Sequence, residues 1–135
     1  MFTKEDTVIA EKSYQRCIKQ INWIKDFYDI LINSSPEIPP YFTKTNFAKQ
    51  IVVLQSGVSF IFMQARGVQY AEMKMEEIGE MHNRNNLDLK PHLYPFWIDS
   101  LIKSVEIHDP KFDAEIESSW RKVLGKVTDD IIKQY

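Results

Sequence analysis

The chain has 135 residues, a length typical of one domain, and a formal net charge of −2. Its Lys and Arg residues form no block or stripe, which argues against a nucleic-acid-binding protein. The longest apolar stretch, residues 51–63, contains polar residues and a glycine and is too short to cross a bilayer, so no membrane segment is expected. The N-terminal "MFTKEDTVIA" is charged where a secretory signal has an apolar run, and Cys17 has no second cysteine to pair with. We therefore expect a single cytoplasmic domain over residues 1–135.

Apolar residues recur every three or four positions in successive segments, a spacing typical of amphipathic helices, and no alternating strand pattern or Asn-Gly hairpin turn occurs. The first helix begins near Thr3, with Asp6 three residues later in a capping-box pattern. A short helical turn is expected to begin at Pro36, where Ser35 can cap it and the following prolines limit its length. The sequence therefore predicts an all-α fold of about six main helices and this short one. The main helices are expected at about 3–20, 22–34, 45–65, 68–84, 90–108 and 111–134.

Conventional catalytic and multi-ligand metal motifs do not occur in the sequence. His82, His92 and His108 are not spaced to share a metal on a helix, and there is no C-x-x-C, nucleophile elbow or phosphate loop. What remains are polar residues on apolar helical faces: Tyr28, Gln50 and His82. Each alone is typical of a core residue that finds a hydrogen bond. Together they indicate a pocket with one metal ligand and two hydrogen-bonding groups inside an aromatic shell.

The spacing of these residues resembles that of the bacterial globins. Tyr28, in "FYDILINSSPEIPPYF", is followed by Pro36 and then Phe42. This order resembles that of the distal tyrosine, the proline and the corner phenylalanine of single-domain bacterial globins and of the globin domain of flavohaemoglobins. Gln50, in "FAKQIVVL", is similar to the distal glutamine that begins the long distal helix. His82 lies 32 residues after Gln50, where the family keeps its proximal histidine.

The resemblance spans nearly the whole chain, because "LYPFWIDSL" (93–101) and "SSWRKVL" (118–124) are similar to the family's last two helices. It implies a three-over-three globin fold with haem b (iron protoporphyrin IX) in a central crevice. It also implies a five-coordinate iron with His82 as the protein ligand and no catalytic side chain. The residues that it assigns to the haem pocket are Tyr28, Phe42, Gln50, Leu54, Met75, Ile78, His82, Tyr94 and Trp97.

The sequence departs from the flavohaemoglobin-like pattern on the proximal side. The loop between His82 and Tyr94 is about two residues longer than in that pattern. In that family a tyrosine and a glutamate stiffen the proximal histidine. Tyr94 matches the tyrosine, but the glutamate position falls near Tyr135, which carries no carboxylate. The carboxylate that would raise the basicity of the proximal histidine, and so favour oxygen activation, is therefore missing from its expected position.

Three functions remain open from the sequence. The resemblance first implies reversible binding of O₂, and of CO and NO. The protein would then be an oxygen carrier or storage globin, or a haem-based gas sensor that forms a homodimer through its last two helices and signals to an output partner. The second is NO dioxygenation or peroxidase-like chemistry with an external reductase, because the chain has no flavin or NAD segment. The third is a haem-free helical interaction module that keeps the fold.

Overall fold

Six α-helices and two 3₁₀ helices make up the regular structure of residues 3–135, the part of the chain described by this computed structural model, and no strand occurs in that range. The 3₁₀ helices are Pro39–Phe42, before α3, and Pro91–Leu93, before α5. The α-helices are α1 Lys4–Cys17, α2 Trp23–Ile32, α3 Phe47–Ala65, α4 Gln69–His82, α5 Tyr94–His108 and α6 Ala114–Ile132. The predicted all-α organisation is thus confirmed.

Side-chain caps fix where several helices begin. The Thr3 hydroxyl accepts the Asp6 backbone N–H at 3.1 Å, and the Asp6 carboxylate accepts the Thr3 N–H at 2.9 Å, which is the predicted capping box. Asn46 accepts the Lys49 N–H at 3.3 Å to start α3, and Asp113 accepts the Ile116 N–H at 2.8 Å to start α6. Because a cap residue is itself non-helical, both helices begin after the residue at which the sequence placed their start.

The segment before α3 contains the predicted turn and, after it, a 3₁₀ helix. Ser35 Oγ accepts the Glu37 N–H at 3.2 Å and the Ile38 N–H donates to the Ser35 carbonyl at 3.2 Å, so the Ser35-capped turn at Pro36 is confirmed. The 3₁₀ helix begins at Pro39, and a proline in the first helical turn loses no hydrogen bond. This 3₁₀ helix matters for the site because it contains Phe42.

The six α-helices form two layers of three. In one layer α3 packs against α4 and α1; in the other, α5 packs against α2 and α6, while α1–α6 and α4–α6 contacts join the layers. Fully buried aromatic side chains of α2, α3 and α6, namely Trp23, Phe27, Phe62 and Trp120, fill the centre. Because α4 packs mainly against α3 and α6 rather than against α2 and α5, the haem crevice expected of the predicted fold would lie between α4 and the α2–α5 pair.

A network of hydrogen bonds around the buried Asp109 carboxylate joins α1, α6 and the end of α5. The Asp109 carboxylate accepts hydrogen bonds from Ser13 Oγ at 2.6 Å and from Arg16 Nε at 2.5 Å, and Trp120 Nε1 donates to Ser13 Oγ at 2.9 Å. Burial acts to raise the pKa of Asp109, but the hydrogen bonds from Arg16 and Ser13 bring the pKa below its ordinary value. These bonds tie α1 and α6 to the end of α5, at a distance from the crevice residues.

The lengths and hydropathies of the helices bear on whether any of them could cross a membrane. Within residues 3–135, no helix combines the length and the apolar character that crossing a bilayer requires.

Candidate functional site

The two polar residues expected on the distal side of a haem crevice are Tyr28 of α2 and Gln50 of α3. Tyr28 is 4% exposed and shares the buried face of α2 with Ile24 and Leu31. Gln50 lies one turn after the Asn46 cap, and its Nε2 donates a hydrogen bond to Tyr28 Oη at 3.0 Å. The structure therefore brings the two predicted polar residues into direct contact.

The Tyr28 phenol is held in its neutral form. Burial raises the pKa of Tyr28 to about 12, and the Gln50 hydrogen bond offsets this only in part. The phenol therefore keeps its proton at physiological pH. Since Gln50 donates to the oxygen, the Tyr28 O–H proton is not used in that bond and can be donated to a third group.

Aromatic rings enclose this pair. Phe42 lies edge-on to Tyr28, with ring centroids 5.7 Å apart, and Phe47 stacks on Phe42 at 5.9 Å. Trp97 of α5 packs edge-on against Phe27, the neighbour of Tyr28, at 6.2 Å. Phe47 also contacts Tyr28, although it is not among the residues that the sequence assigned to the pocket. Its place in the shell depends on the α2–α3 approach, which a helical pattern does not encode.

His82, the residue expected to bind a metal on the proximal side, is the last residue of α4. His82 Nδ1 lies 2.6 Å from the backbone carbonyl oxygen of Ile78. Because a carbonyl oxygen only accepts, Nδ1 carries the proton and donates it. In the neutral ring, Nε2 then has an unprotonated lone pair, the form in which imidazole binds a metal. Among residues 3–135 no group of three His, Cys, Asp or Glu side chains is arranged around a common metal position, so a metal here would have one protein ligand.

The two residues considered as support for His82 have other surroundings. Tyr94 is buried at the start of α5, and burial, together with the neighbouring Tyr41, raises its pKa to about 12. No hydrogen bond between Tyr94 and His82 occurs in the described structure. Tyr135 does reach this end of the molecule, but its hydroxyl donates to Asp88 Oδ1 at 2.5 Å. The group behind the imidazole is thus the Ile78 carbonyl.

Comparisons with known proteins identify the family. No protein-family model matches the chain, and no curated protein matches it. A crystal structure of a protein from Pseudomonas aeruginosa PAO1, described as structurally highly homologous to a human hemoglobin, superposes with a TM-score of 0.92. The two sequences are 34% identical, over 96% of this chain and 98% of that one. This chain is a bacterial globin. The predicted globin fold and family are therefore confirmed, and the fold implies a haem cofactor.

The crevice of this globin fits a flat apolar group. Several large apolar side chains of α3, α4, α5 and the segments beside them pack against the core but are only half-buried. Leaving such surface uncovered costs free energy that a flat apolar ligand would recover. These residues are Phe42, Phe47, Ile51, Leu54, Ile78, Leu89, Phe96, Trp97 and Ile98.

Met75 lies apart from this set. It is buried, and it lines a cavity of about 200 Å³ together with Val127 and Ile131 of α6. Leu54 and Ile78, by contrast, lie one turn from Gln50 and His82 on the crevice side. Of the residues assigned to the pocket from the sequence, Met75 is thus the one that the structure places against α6.

Proposed function

We propose that this globin binds haem b through His82 and reversibly binds O₂, with CO and NO as further ligands. The observation that supports the proposal is the hydrogen bond from Gln50 to Tyr28, together with a His82 imidazole whose Nδ1 lies 2.6 Å from the Ile78 carbonyl, which leaves Nε2 for a metal. In a haem crevice of the globin fold, the phenol would supply a hydrogen-bond donor on one side and the imidazole a metal ligand on the other. When bound, haem supplies a ferrous iron that takes up diatomic gases.

On the distal side, Gln50 would orient Tyr28, and Tyr28 would donate a hydrogen bond to the ligand. Gln50 holds the Tyr28 oxygen by donating to it at 3.0 Å, which leaves the phenol proton for a ligand in the crevice. If haem is bound, an O₂ ligand would be a more strongly charged hydrogen-bond acceptor than CO, and the Tyr28 phenol would be positioned to donate to it. A hydrogen bond to a charged acceptor contributes about 1.5–3 kcal/mol, so the phenol should retain O₂ selectively.

The group that accepts the His82 Nδ1 proton favours reversible binding of O₂ over cleavage of the O–O bond. A carboxylate behind a ligating imidazole raises its basicity, which suits oxygen activation. The Ile78 carbonyl is a neutral acceptor that orients the ring without adding a negative charge. We therefore favour a carrier, storage or sensing role over the peroxidase-like or NO dioxygenase alternative, which would need this push and an external reductase.

The proposal is tested by absorption spectra of the haem-reconstituted protein in its ferric, ferrous and CO forms. We expect a Soret band in all three and reversible oxygenation of the ferrous form. His82→Ala should lose most of the haem, whereas His92→Ala, the same substitution at an exposed residue paired with Glu37, should keep it. No Soret band in the wild type after haem addition would instead support the haem-free module. NO turnover with a reductant at a rate far above autoxidation would support the enzymatic alternative.

A further inference from the structure

The loop that follows His82 contains an aspartate in an uncommon backbone conformation. Asp88 has φ of +52° and is the one non-glycine residue with a positive φ in the part of the chain that the structure describes. Left-handed backbone is disfavoured for residues with a Cβ, although Asp tolerates it better than most. A residue held in this region persists when its surroundings fix it from several sides.

Three hydrogen bonds from separate positions converge on Asp88. Tyr41 Oη donates to its backbone carbonyl at 2.9 Å, Tyr135 Oη donates to Oδ1 at 2.5 Å, and Lys90 Nζ donates to Oδ2 at 2.9 Å. Tyr41 lies in the 3₁₀ helix beside Phe42, whose ring contacts Tyr28. Tyr135 follows α6, and its carbonyl accepts hydrogen bonds from Arg84, two residues after His82. Asp88 therefore joins the Phe42 segment to the chain that follows α6, beside the loop that begins at His82.

The same loop is tied to His82 through its backbone. The Leu89 N–H donates to the His82 carbonyl at 3.1 Å, and the Asp88 N–H donates to the Asn83 carbonyl at 2.8 Å. Arg84 fastens the other end: its Nε donates to the Tyr135 carbonyl at 3.1 Å, and its guanidinium lies 4.6 Å from the centre of the Tyr135 ring. A displacement of Asp88 would therefore shift the backbone of the last turn of α4, which carries His82.

We propose that Tyr41, Asp88 and Tyr135 form a clasp that closes the edge of the haem crevice and fixes the orientation of His82. The three are positioning residues, since they act through the α4–α5 loop and the Phe42 segment. The inference rests on the proposed function, because it takes His82 as the haem ligand. It assigns to this long loop, which the sequence marked only as an insertion, the task of retaining haem.

Each arm of the clasp has its own consequence. Tyr41→Phe removes a neutral hydrogen bond between the distal segment and the loop, and it should speed haem loss by about threefold to tenfold. Tyr135→Phe removes a hydrogen bond to a carboxylate, and it should speed haem loss by about tenfold or more. Tyr135→Phe should also shift the iron–histidine stretching band of the ferrous protein, because it frees the loop that accompanies His82.

The test measures haem transfer from the ferric holoprotein to an excess of an apoglobin acceptor, together with the resonance Raman spectrum of the ferrous form. Tyr70→Phe is the matched control, because Tyr70 is 53% exposed and packs on Phe60 away from the crevice. Thermal unfolding of each apoprotein separates clasp effects from general stability. Haem loss that is faster than the change in apoprotein unfolding accounts for, with a shifted band, supports the clasp.

Two results would overturn the inference while leaving the proposed function intact. One is haem loss from Tyr41→Phe and Tyr135→Phe at the control rate. The other is faster loss that only follows a lower apoprotein stability, with the iron–histidine band unmoved. If the wild type binds haem but His82→Ala retains both haem and band, the proposed function itself fails.

Discussion

Replacing Tyr28 with Phe is the sharpest perturbation of the distal pocket. The change removes one hydroxyl and keeps the ring, which packs edge-on against Phe42 and Phe27. A phenol donating to a partly anionic ligand contributes about 1.5–3 kcal/mol. Without the phenol oxygen, the Gln50 amide loses its acceptor and can turn to the ligand, which recovers roughly 0.5–1 kcal/mol. The net loss is about 0.5–2.5 kcal/mol, centred near tenfold in the O₂ dissociation rate within a range of about twofold to seventyfold.

The assay is laser photolysis or stopped-flow mixing of the ferrous protein with O₂ and with CO. We expect the O₂ dissociation rate of Tyr28→Phe to rise within that range, while the CO rate changes by less than about twofold, because CO is a weaker acceptor. Tyr14→Phe is a suitable control: Tyr14 is also buried, but its hydroxyl bonds Ser59 at 2.6 Å in the α1–α3 contact. Equal increases for O₂ and CO, or no increase for either, would refute the role of the Tyr28 proton.

Three further predictions follow from the same structure. Gln50→Leu should speed O₂ release less than Tyr28→Phe does, and the double variant should show less than the product of the two effects, because Gln50 acts partly by orienting Tyr28; a double-mutant cycle of dissociation rates measures this. In the apoprotein, tyrosinate absorbance should show Tyr28 and Tyr94 ionising near pH 12 rather than near 10. Because the folded state keeps these protons while the unfolded state loses them, stability should fall as pH rises from about 10 to 12, and less so in Tyr28→Phe. Asp109→Asn should lower the free energy of unfolding at neutral pH by about 2–3 kcal/mol in urea titrations. Since the folded pKa of Asp109 lies below its ordinary value of 3.8, this difference should disappear as the pH falls through that folded pKa.

The sequence could predict the helices well because their determinants are local. Thr3 and Asp6 cap one another across a single turn, and the apolar spacing of α2 and α3 places Tyr28 and Gln50 on inward faces. The turn at Pro36 could be predicted because its Ser35 cap is also local, whereas the 3₁₀ helix from Pro39 was not predicted, because in the sequence Pro39 and Pro40 indicate only a limit on that turn.

The residues of the candidate site that recur at a fixed sequence spacing could be named from the sequence. Hydrogen-bond partners that depend on tertiary packing could not. The group behind His82 is a backbone carbonyl, which leaves no trace in side-chain identity. Tyr135 was expected near the proximal histidine from its position, and the structure brings it to that end of the molecule. Its partner, however, is Asp88, 47 residues away in sequence. Only the packing of α6 beside the loop after α4 reveals that pair.

The central claim is that the imidazole of His82 binds the haem iron, and the ferrous resonance Raman spectrum tests it most directly. We predict an iron–histidine stretching band in the wild type, its loss in His82→Ala, and its return as an iron–imidazole band when free imidazole is added to that variant. The same band persisting in His82→Ala without imidazole would contradict the account.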